Sequence, residues 1–328
     1  RQPLLPTRFD RRGPALAVAD FNADGKDDLA FGGTGRQAAQ LLTGGPRFTV
    51  AGTLPTSALD DGPLLFFDAD GDGDADLLQT RAGTNRNLNS PEYQPLLHLN
   101  HAGSFVPAPD ALPPLPSSLG AAVAADFDRD GKLDLFLGGR VLPGRYPTAP
   151  RSALLRNIGG RFEDVTAVLA AGLGEVGMVS SALWSDVDQD GWPDLVLALE
   201  WGGVRFWRNL EGRGFEDRSE AAGFTSAGTG WWTSLASADF NGDGRPDYVA
   251  GNLGLNTTYR APAVLFHGQF GSGPPQLIEA SYHGGQLYPR RTLKSLSAVI
   301  PALRRRYPKN NDFAKATLTE MLDADRLG

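Results

Sequence analysis

The chain has 328 residues, 41% of them hydrophobic, which is enough to bury one large core or two modest ones, and no apolar run approaches the roughly 18 residues a membrane-crossing helix needs. It has no cysteine, which excludes disulfides, thiolate metal sites and cysteine nucleophiles. The formal charge of −7 argues against nucleic acid, which selects a basic surface.

Glycine (41) and proline (24) make about a fifth of the chain without a collagen period, and the apolar segments are short, the profile of an all-β protein with many tight turns. The opening stretch "RQPLLPTRFDRRGPALAV" has no apolar core of signal-peptide type. An export signal is therefore expected to have been removed or never present, and Arg in first place is expected of a processed or trimmed chain.

From Asp20 onward one nine-residue pattern recurs five times, each copy set between two apolar runs: "DFNADGKDD" from Asp20, "DADGDGDAD" from Asp68, "DFDRDGKLD" from Asp126, "DVDQDGWPD" from Asp186 and "DFNGDGRPD" from Asp239. Their starts lie 48, 58, 60 and 53 residues apart. A second landmark follows about 30 residues after each of the first four: "LLTGGPRF" ending at Phe48, "LHLNHAGSF" at Phe105, "LLRNIGGRF" at Phe162 and "FWRNLEGRGF" at Phe215. Each is an apolar run, a glycine-bearing turn and an aromatic that opens another strand. One repeat is thus two hairpins, and four-stranded units repeated in series predict a β-propeller. A β-solenoid would repeat at a period nearer 20 residues.

The segment from 263 to 282 begins about 24 residues after Asp239, too soon for a new blade, and is expected to be the second hairpin of the fifth. From about Arg291, Leu293, Leu296, Val299, Ile300 and Leu303 recur at helical spacing, Pro301 breaks or starts a helix, and Asn311 is expected to cap another that runs through Leu322. The organisation expected is propeller blades over 1–290 and a helical insertion or cap over 291–328, with further blades to follow if the ring is unclosed. The basic run "LRRRYPK" is expected to be a solvated face.

The loops carry the chemistry. Positions 1 (Asp20, Asp68, Asp126, Asp186, Asp239), 3 (Asn22, Asp70, Asp128, Asp188, Asn241), 5 (Asp24, Asp72, Asp130, Asp190, Asp243) and 9 (Asp28, Asp76, Asp134, Asp194, Asp247) offer side-chain oxygens. Position 7 (Lys26, Asp74, Lys132, Trp192, Arg245) varies so freely that only its carbonyl can be the common ligand. Converging Asp186, Asp188, Asp190 and Asp194 would place six repelling pairs together, about 6 to 24 kcal/mol between the dielectric of water and an effective value near 20. A cation must therefore sit among them. Oxygen-only ligands with a turn glycine at position 6 are the calcium pattern of EF-hands, here closed at position 9 and without flanking helices. Hard oxygen donors exclude zinc and copper as intended ions, and a crowded, flexible cage suits calcium better than magnesium. About five structural Ca2+ ions would turn the formal charge of −7 into about +3.

Loops of the form D-x-[DN]-x-D-G-x-x-D between apolar strands resemble FG-GAP or VCBS-type repeats, as in integrin α-subunit propellers and many secreted bacterial proteins. This likeness spans roughly residues 10 to 285. "EWGGVRFWRN", "GWWTSLASADFNGDG" and "DYVAGNLGLNT" more closely resemble bacterial relatives of cartilage acidic protein, over 180 to 328. The resemblance implies calcium at the repeat carboxylates, a secreted, cell-surface or periplasmic location, and adhesion or ligand binding, with a glycan or an extracellular protein as partner. No nucleic-acid partner and no direct membrane insertion are expected.

Two other readings stand beside this one. A propeller-based polysaccharide lyase or hydrolase would use His98, His101, His267 or His283, the last near Tyr282, Tyr288 and Arg290, although no Gly-x-Ser-x-Gly, phosphate loop or paired-glutamate pattern is present. A scaffold domain of a larger secreted protein is the third. All six tryptophans, Trp184, Trp192, Trp201, Trp207, Trp231 and Trp232, fall within 49 residues. Most are expected in the core, Trp207 among them, with Trp192 exposed.

Overall fold

The structure is a computed structural model that describes residues 4–6, 15–55, 57–254, 263–270 and 275–322. Antiparallel hairpins dominate it, as the alternation of short apolar runs with Gly/Asp turns predicts. The first sheet is β1 (Leu16–Ala19), β2 (Asp28–Phe31), β3 (Gln40–Thr43) and β4 (Thr49–Thr53); the second is β5 (Asp61–Phe67), β6 (Asp76–Arg81), β7 (Leu96–His101) and β8 (Ser104–Ala108). The third is β9 (Ser118–Ala125), β10 (Asp134–Val141), β11 (Ala153–Asn157) and β12 (Phe162–Asp164). In each, strands pair in chain order, so each sheet is one repeat.

The fourth repeat is β13 (Met178–Ser185), β14 (Asp194–Gly202), β15 (Val204–Asn209) and β16 (Phe215–Asp217), preceded by a short helix α1 (Thr166–Leu169). The fifth begins with β17 (Gly230–Ala238) and β18 (Asp247–Asn252). Nine-residue β14 outruns β15, and its free end pairs with β17 through Glu200↔Trp231 and Gly202↔Gly230, which joins the two repeats in one six-stranded sheet.

The chain divides into two units, one of Phe9–Pro143 with Thr148–Asn252, the other of Arg1–Arg8, Gly144–Pro147 and Leu253–Gly328. In the first unit the core lies between consecutive sheets. Ala17, Phe21, Ala30 and Leu41 meet Leu64 and Leu77; Phe67, Leu78 and Leu97 meet Leu119, Leu135 and Leu155; Phe127, Phe136 and Leu154 meet Leu195, Trp207 and Phe215; and Val196 and Phe206 meet Leu235 and Tyr248. β6 and β10 are buried along their whole length because both faces are covered. Blade-on-blade cores of this kind are the radial packing of an all-β propeller. The fifth blade is covered on one side only within this unit: Val249 is 53% exposed, whereas Val196, one blade earlier, is fully buried.

In the second unit β19 (Ala263–Gly268) and β20 (Gln276–His283) pair as a hairpin, but it does not complete the sheet of the fifth blade as expected: with β21 (Gln286–Pro289) it makes a sheet of its own. Four short helices follow among the described residues: α2 (Leu293–Ser297), α3 (Ala302–Arg306), α4 (Asn310–Lys315) and α5 (Leu318–Met321). Leu293, Leu296, Ile300 and Leu303 are buried, as their spacing predicts. Pro301 occupies the N-cap position of α3, and Arg304, Arg305 and Arg306 are exposed. The expected helix from Asn311 through Leu322 is instead two. Asn311 lies inside α4, Ala316 is extended, and Thr317 opens α5 with a capping box in which its hydroxyl accepts from Glu320 N–H and Glu320 accepts from Thr317 N–H. That reciprocal pair outcompetes a continuous helix at this point.

Candidate metal centres

Each nine-residue loop bridges the first two strands of a blade: β1–β2, β5–β6, β9–β10, β13–β14 and β17–β18. The position-1 carboxylate folds the loop over itself by accepting backbone N–H groups: Asp20 from Asp24 (3.0 Å) and Gly25 (2.7 Å), Asp126 from Asp130 (3.1 Å) and Gly131 (3.0 Å), Asp239 from Asp243 (3.1 Å) and Gly244 (2.8 Å). Position 5 accepts the N–H of position 7 at 2.8 to 3.0 Å in all five loops. Position 6 is left-handed throughout, with φ between +81° and +92° for Gly25, Gly73, Gly131, Gly191 and Gly244, so glycine is there for its conformational freedom. Position 4 is also left-handed, at Ala23, Gly71, Arg129, Gln189 and Gly242. Sequence reading missed that second turn because three of the five residues are not glycine.

The position-9 carboxylates lie deepest. Asp28, Asp76, Asp134 and Asp194 are fully buried. One oxygen of each accepts the N–H of loop position 2: Phe21 at 3.2 Å, Ala69 at 2.8 Å, Phe127 at 3.1 Å and Val187 at 2.9 Å. The other accepts an N–H from the second hairpin of the same blade: Gly44 at 2.7 Å, Asn100 at 2.7 Å, Asn157 at 2.8 Å and Asn209 at 2.7 Å. Position 9 therefore ties both hairpins of a blade together, a structural role of its own.

Three of those second-hairpin residues are asparagines that also reach the neighbouring blade. Asn100 Nδ2 donates to the Phe21 carbonyl (2.7 Å), Asn157 to Ala69 (2.8 Å) and Asn209 to Phe127 (2.9 Å), each the position-2 carbonyl of the preceding loop. The same Nδ2 also donates to the position-8 carbonyl of its own loop, Ala75, Leu133 or Pro193. Position-2 side chains plug the same seam. Phe21 lies 6.0 Å from Phe66 and 5.4 Å from Phe105, and Phe127 lies 6.3 Å from Trp184 and 5.5 Å from Phe215, centroid to centroid. This explains the aromatics that end the second landmark. Phe105, Phe162 and Phe215 pack in the core between blades, while Phe48, in the first described blade, is 50% exposed. The asparagine recurs at one place in "LHLN", "LLRN" and "FWRN", a signal that could have found it.

The loops bring positions 1, 3 and 9 together. Oxygens of Asp68, Asp70 and Asp76 lie within 4.8 Å of one another, as do those of Asp126, Asp128 and Asp134, and of Asp186, Asp188 and Asp194. Position 5 stands outside these triads. Loops 1 and 5 carry Asn22 and Asn241 at position 3, so only a neutral oxygen is available there. Asp128 Oδ1 and Asp186 Oδ1 are buried with no hydrogen-bond partner, and a buried carboxylate oxygen without a partner is costly unless a cation meets it. Burial, aided by neighbouring loop aspartates and opposed by the backbone hydrogen bonds, pushes Asp76 up to about 6, Asp134 to about 7 and Asp194 to about 6. The chain supplies some positive charge of its own: Lys26 pairs with Asp24 (3.0 Å), Lys132 with Asp130 (2.6 Å), Arg156 with Asp128 (2.8 Å), and Arg208 with Asp188 (2.5 Å) and Asp190 (3.0 Å).

The other candidates fall differently. Trp207 and Trp231 are buried, and Trp184 packs on the core between blades three and four. Trp192 is half-buried, not exposed, because the Arg129 guanidinium lies 4.1 Å over its ring. His98 is fully buried with Nε2 3.1 Å from Gln79 Oε1, and burial, with Arg81 adding to it, lowers its pKa to about 4. His101 lies 3.9 Å from Asp72, and the His283 ring 6.1 Å from that of Tyr288.

Family comparison agrees with this geometry. An FG-GAP repeat profile matches residues 12–40 and an FG-GAP-like repeat profile matches 186–250, which take in loops 1, 4 and 5. No curated protein matches the chain. Among solved structures, an Agrocybe aegerita lectin described as recognising non-reducing terminal N-acetylglucosamine is 18% identical over 86% of this chain and 67% of its own, with a TM-score of 0.45. The V. cholerae biofilm matrix protein Bap1 is 15% identical over 74% of this chain and 35% of its own, with a TM-score of 0.35. BBS1N, solved in complex with ARL6DN, is 10% identical over 85% and 78%, with a TM-score of 0.42. Loops 2 and 3 lie outside the matched segments yet repeat the position-5 and position-9 hydrogen bonds and both left-handed turns. The chain carries FG-GAP repeats, and its four-stranded blades pack as those of an all-β propeller.

Proposed function

We propose that the chain is a calcium-stabilised extracellular propeller module that presents its surface to a glycan or an extracellular protein. The observation that carries the calcium reading is the convergence of three carboxylate triads within 4.8 Å, two of which include an aspartate with a buried, unpartnered oxygen. An all-oxygen donor set suits a hard cation, and calcium accepts the irregular, crowded geometry. The residues that would hold it are the side chains at positions 1, 3, 5 and 9 of each loop, with the carbonyl of position 7. Bound calcium would supply the positive charge the triads lack. The chain's own contribution is to hold position 9 by two backbone N–H groups and to fold position 1 around the loop. Extracellular modules of this type bind at roughly 10⁻⁴ to 10⁻³ M, above resting cytosolic calcium, which favours export to a calcium-rich space. The ligand-binding role rests on the FG-GAP repeats.

The test has two arms. Calcium titration by calorimetry, with melting in millimolar calcium and in EGTA, should show binding and a higher melting temperature with the ion. Asp188→Ala should lower the calcium-loaded melting temperature, and equal values for variant and parent would count against the ligand assignment. A glycan and polysaccharide screen, with calcium and with EGTA and with products checked for cleavage, separates the roles. Calcium-dependent binding without cleavage supports the module, while new reducing or unsaturated ends would replace it with an enzyme.

A further inference from the structure

The five loops differ in how much of their charge the chain already neutralises. We infer that Arg156 and Arg208 are resident counter-cations that weaken calcium binding at loops 3 and 4, so that loop 2 takes the ion most tightly. This rests on the calcium reading above.

The two arginines occupy one structural place. Arg156 precedes Asn157 at the end of β11 and Arg208 precedes Asn209 at the end of β15. Strand alternation turns them away from the buried neighbours on either side and towards the loop of their own blade. Arg208 spans two loop positions, Nε on Asp188 at 2.5 Å and Nη2 on Asp190 at 3.0 Å, and Arg156 Nε sits 2.8 Å from Asp128. Both therefore set a guanidinium against the position-3 carboxylate, a member of the triad, Arg208 through hydrogen bonds and Arg156 as a close ion pair without hydrogen-bond geometry. In blade 2 the corresponding residue, before Asn100, is Leu99.

Loop 2 is also the most acidic, with Asp68, Asp70, Asp72, Asp74 and Asp76. Among the described residues no lysine or arginine lies within 4.0 Å of these carboxylates, and the one basic neighbour is His101, 3.9 Å from Asp72. Loops 1 and 5 have a neutral Asn at position 3. The position-3 aspartate thus occurs with a guanidinium in two blades and without one in the third.

A fixed guanidinium does two opposing things. Without calcium it reduces repulsion among the aspartates and keeps the loop folded; with calcium it repels the divalent ion and competes for the same carboxylate. Arg208 is 37% exposed in its side chain, so solvent screens much of this, and its removal should tighten calcium at that loop about tenfold, not by several orders of magnitude.

The test is Arg208→Leu, which copies blade 2, with Arg156→Leu as a second, independent variant. Calcium calorimetry on the full chain should show one weaker site in each variant becoming about tenfold tighter, while the melting temperature in EGTA falls. Unchanged or weaker calcium binding in both variants, with the parent binding normally, overturns the inference and leaves the calcium reading intact. A parent that binds no calcium overturns both.

Discussion

Asn157 is the residue whose removal tests the seam between blades most directly. Its side chain is 1% exposed and makes four hydrogen bonds: Nδ2 donates to the Ala69 carbonyl across the seam (2.8 Å) and to the Leu133 carbonyl (3.0 Å), while Oδ1 accepts from Gly159 N–H (2.9 Å) and Gly160 N–H (3.0 Å). Asn157→Ala keeps the backbone N–H that binds Asp134, so only these four are lost. A typical hydrogen bond contributes about 0.5–1.5 kcal/mol net, and a buried group left unpaired costs about 1–3 kcal/mol. The two glycine N–H groups sit in a turn that water can reach, so most of the loss comes from the two carbonyls, and about 2–4 kcal/mol is expected. Asn157→Asp separates donor from acceptor: it still accepts from both glycines but cannot donate to either carbonyl, so it should be at least as destabilising as alanine. Urea denaturation in saturating calcium, with the slope unchanged, measures both. A loss under about 1 kcal/mol for alanine, or a parental midpoint for the Asn157→Asp variant, would refute the seam argument.

Three further outcomes follow from the same geometry. Arg140 and Glu200 form a buried ion pair between blades three and four; Arg140→Ala should cost about 3–5 kcal/mol in urea, and replacing both by leucine should recover most of it. Gly212 has φ +73°, and a Cβ there would lie 2.8 Å from the Asp128 backbone. Gly212→Ala should therefore displace position 3 of loop 3 and weaken one calcium site by calorimetry, with the other sites unchanged. The raised position-9 carboxyls, about 6 to 7 against an unfolded value of 3.8, hold protons in the folded state that the unfolded chain releases. Stability in EGTA should fall as pH rises from about 4 to 7 and level off above. His98, lowered to about 4 from an ordinary value of 6.5, acts in the opposite sense within that window, one group against three, so the fall is shallower but keeps its sign. The lowered carboxyls Asp130, Asp164, Asp239 and Glu320 also oppose it, but lose their contribution only as pH falls below ordinary values of 3.8 and 4.5, at the lower edge of the window. Since calcium needs the ionised form, melting in millimolar calcium should instead rise over the same range; parallel curves with and without calcium would contradict this.

The blades were legible because a half-covered strand alternates and a turn needs glycine, and both leave marks in sequence. The loop carboxylates were legible for a related reason: so many aspartates in nine positions have few uses besides a cation. What stayed hidden was pairing over distance. Nothing local to "FWRN" says that Asn209 spans to Phe127, 82 positions earlier, or that Arg208 turns onto its own loop. The helical tail failed for a local reason, since the capping box at Thr317 competes with a helix that periodicity alone would continue. Asn311, a good cap by type, falls inside α4, which starts one residue earlier with Lys309 at its N-cap.

These long-range pairs change what a metal loop is for. Position 9 of loop 3 holds Phe127 N–H and Asn157 N–H, so it joins the loop to its own second hairpin. The carbonyl and ring of the same Phe127 are gripped by Asn209, Trp184 and Phe215 of blade four, and Gly212 abuts Asp128. A change at the carboxylates is therefore felt at one residue that belongs equally to a candidate cation site and to a hydrophobic seam. Anything that orders positions 1, 3 and 9 fixes position 2 between them, and position 2 is where the next blade attaches. The boundary between blades three and four is thus coupled to the order of loop 3, which a substitution at Gly212 probes directly, while Asn157, reaching Ala69 of loop 2, probes the boundary before it.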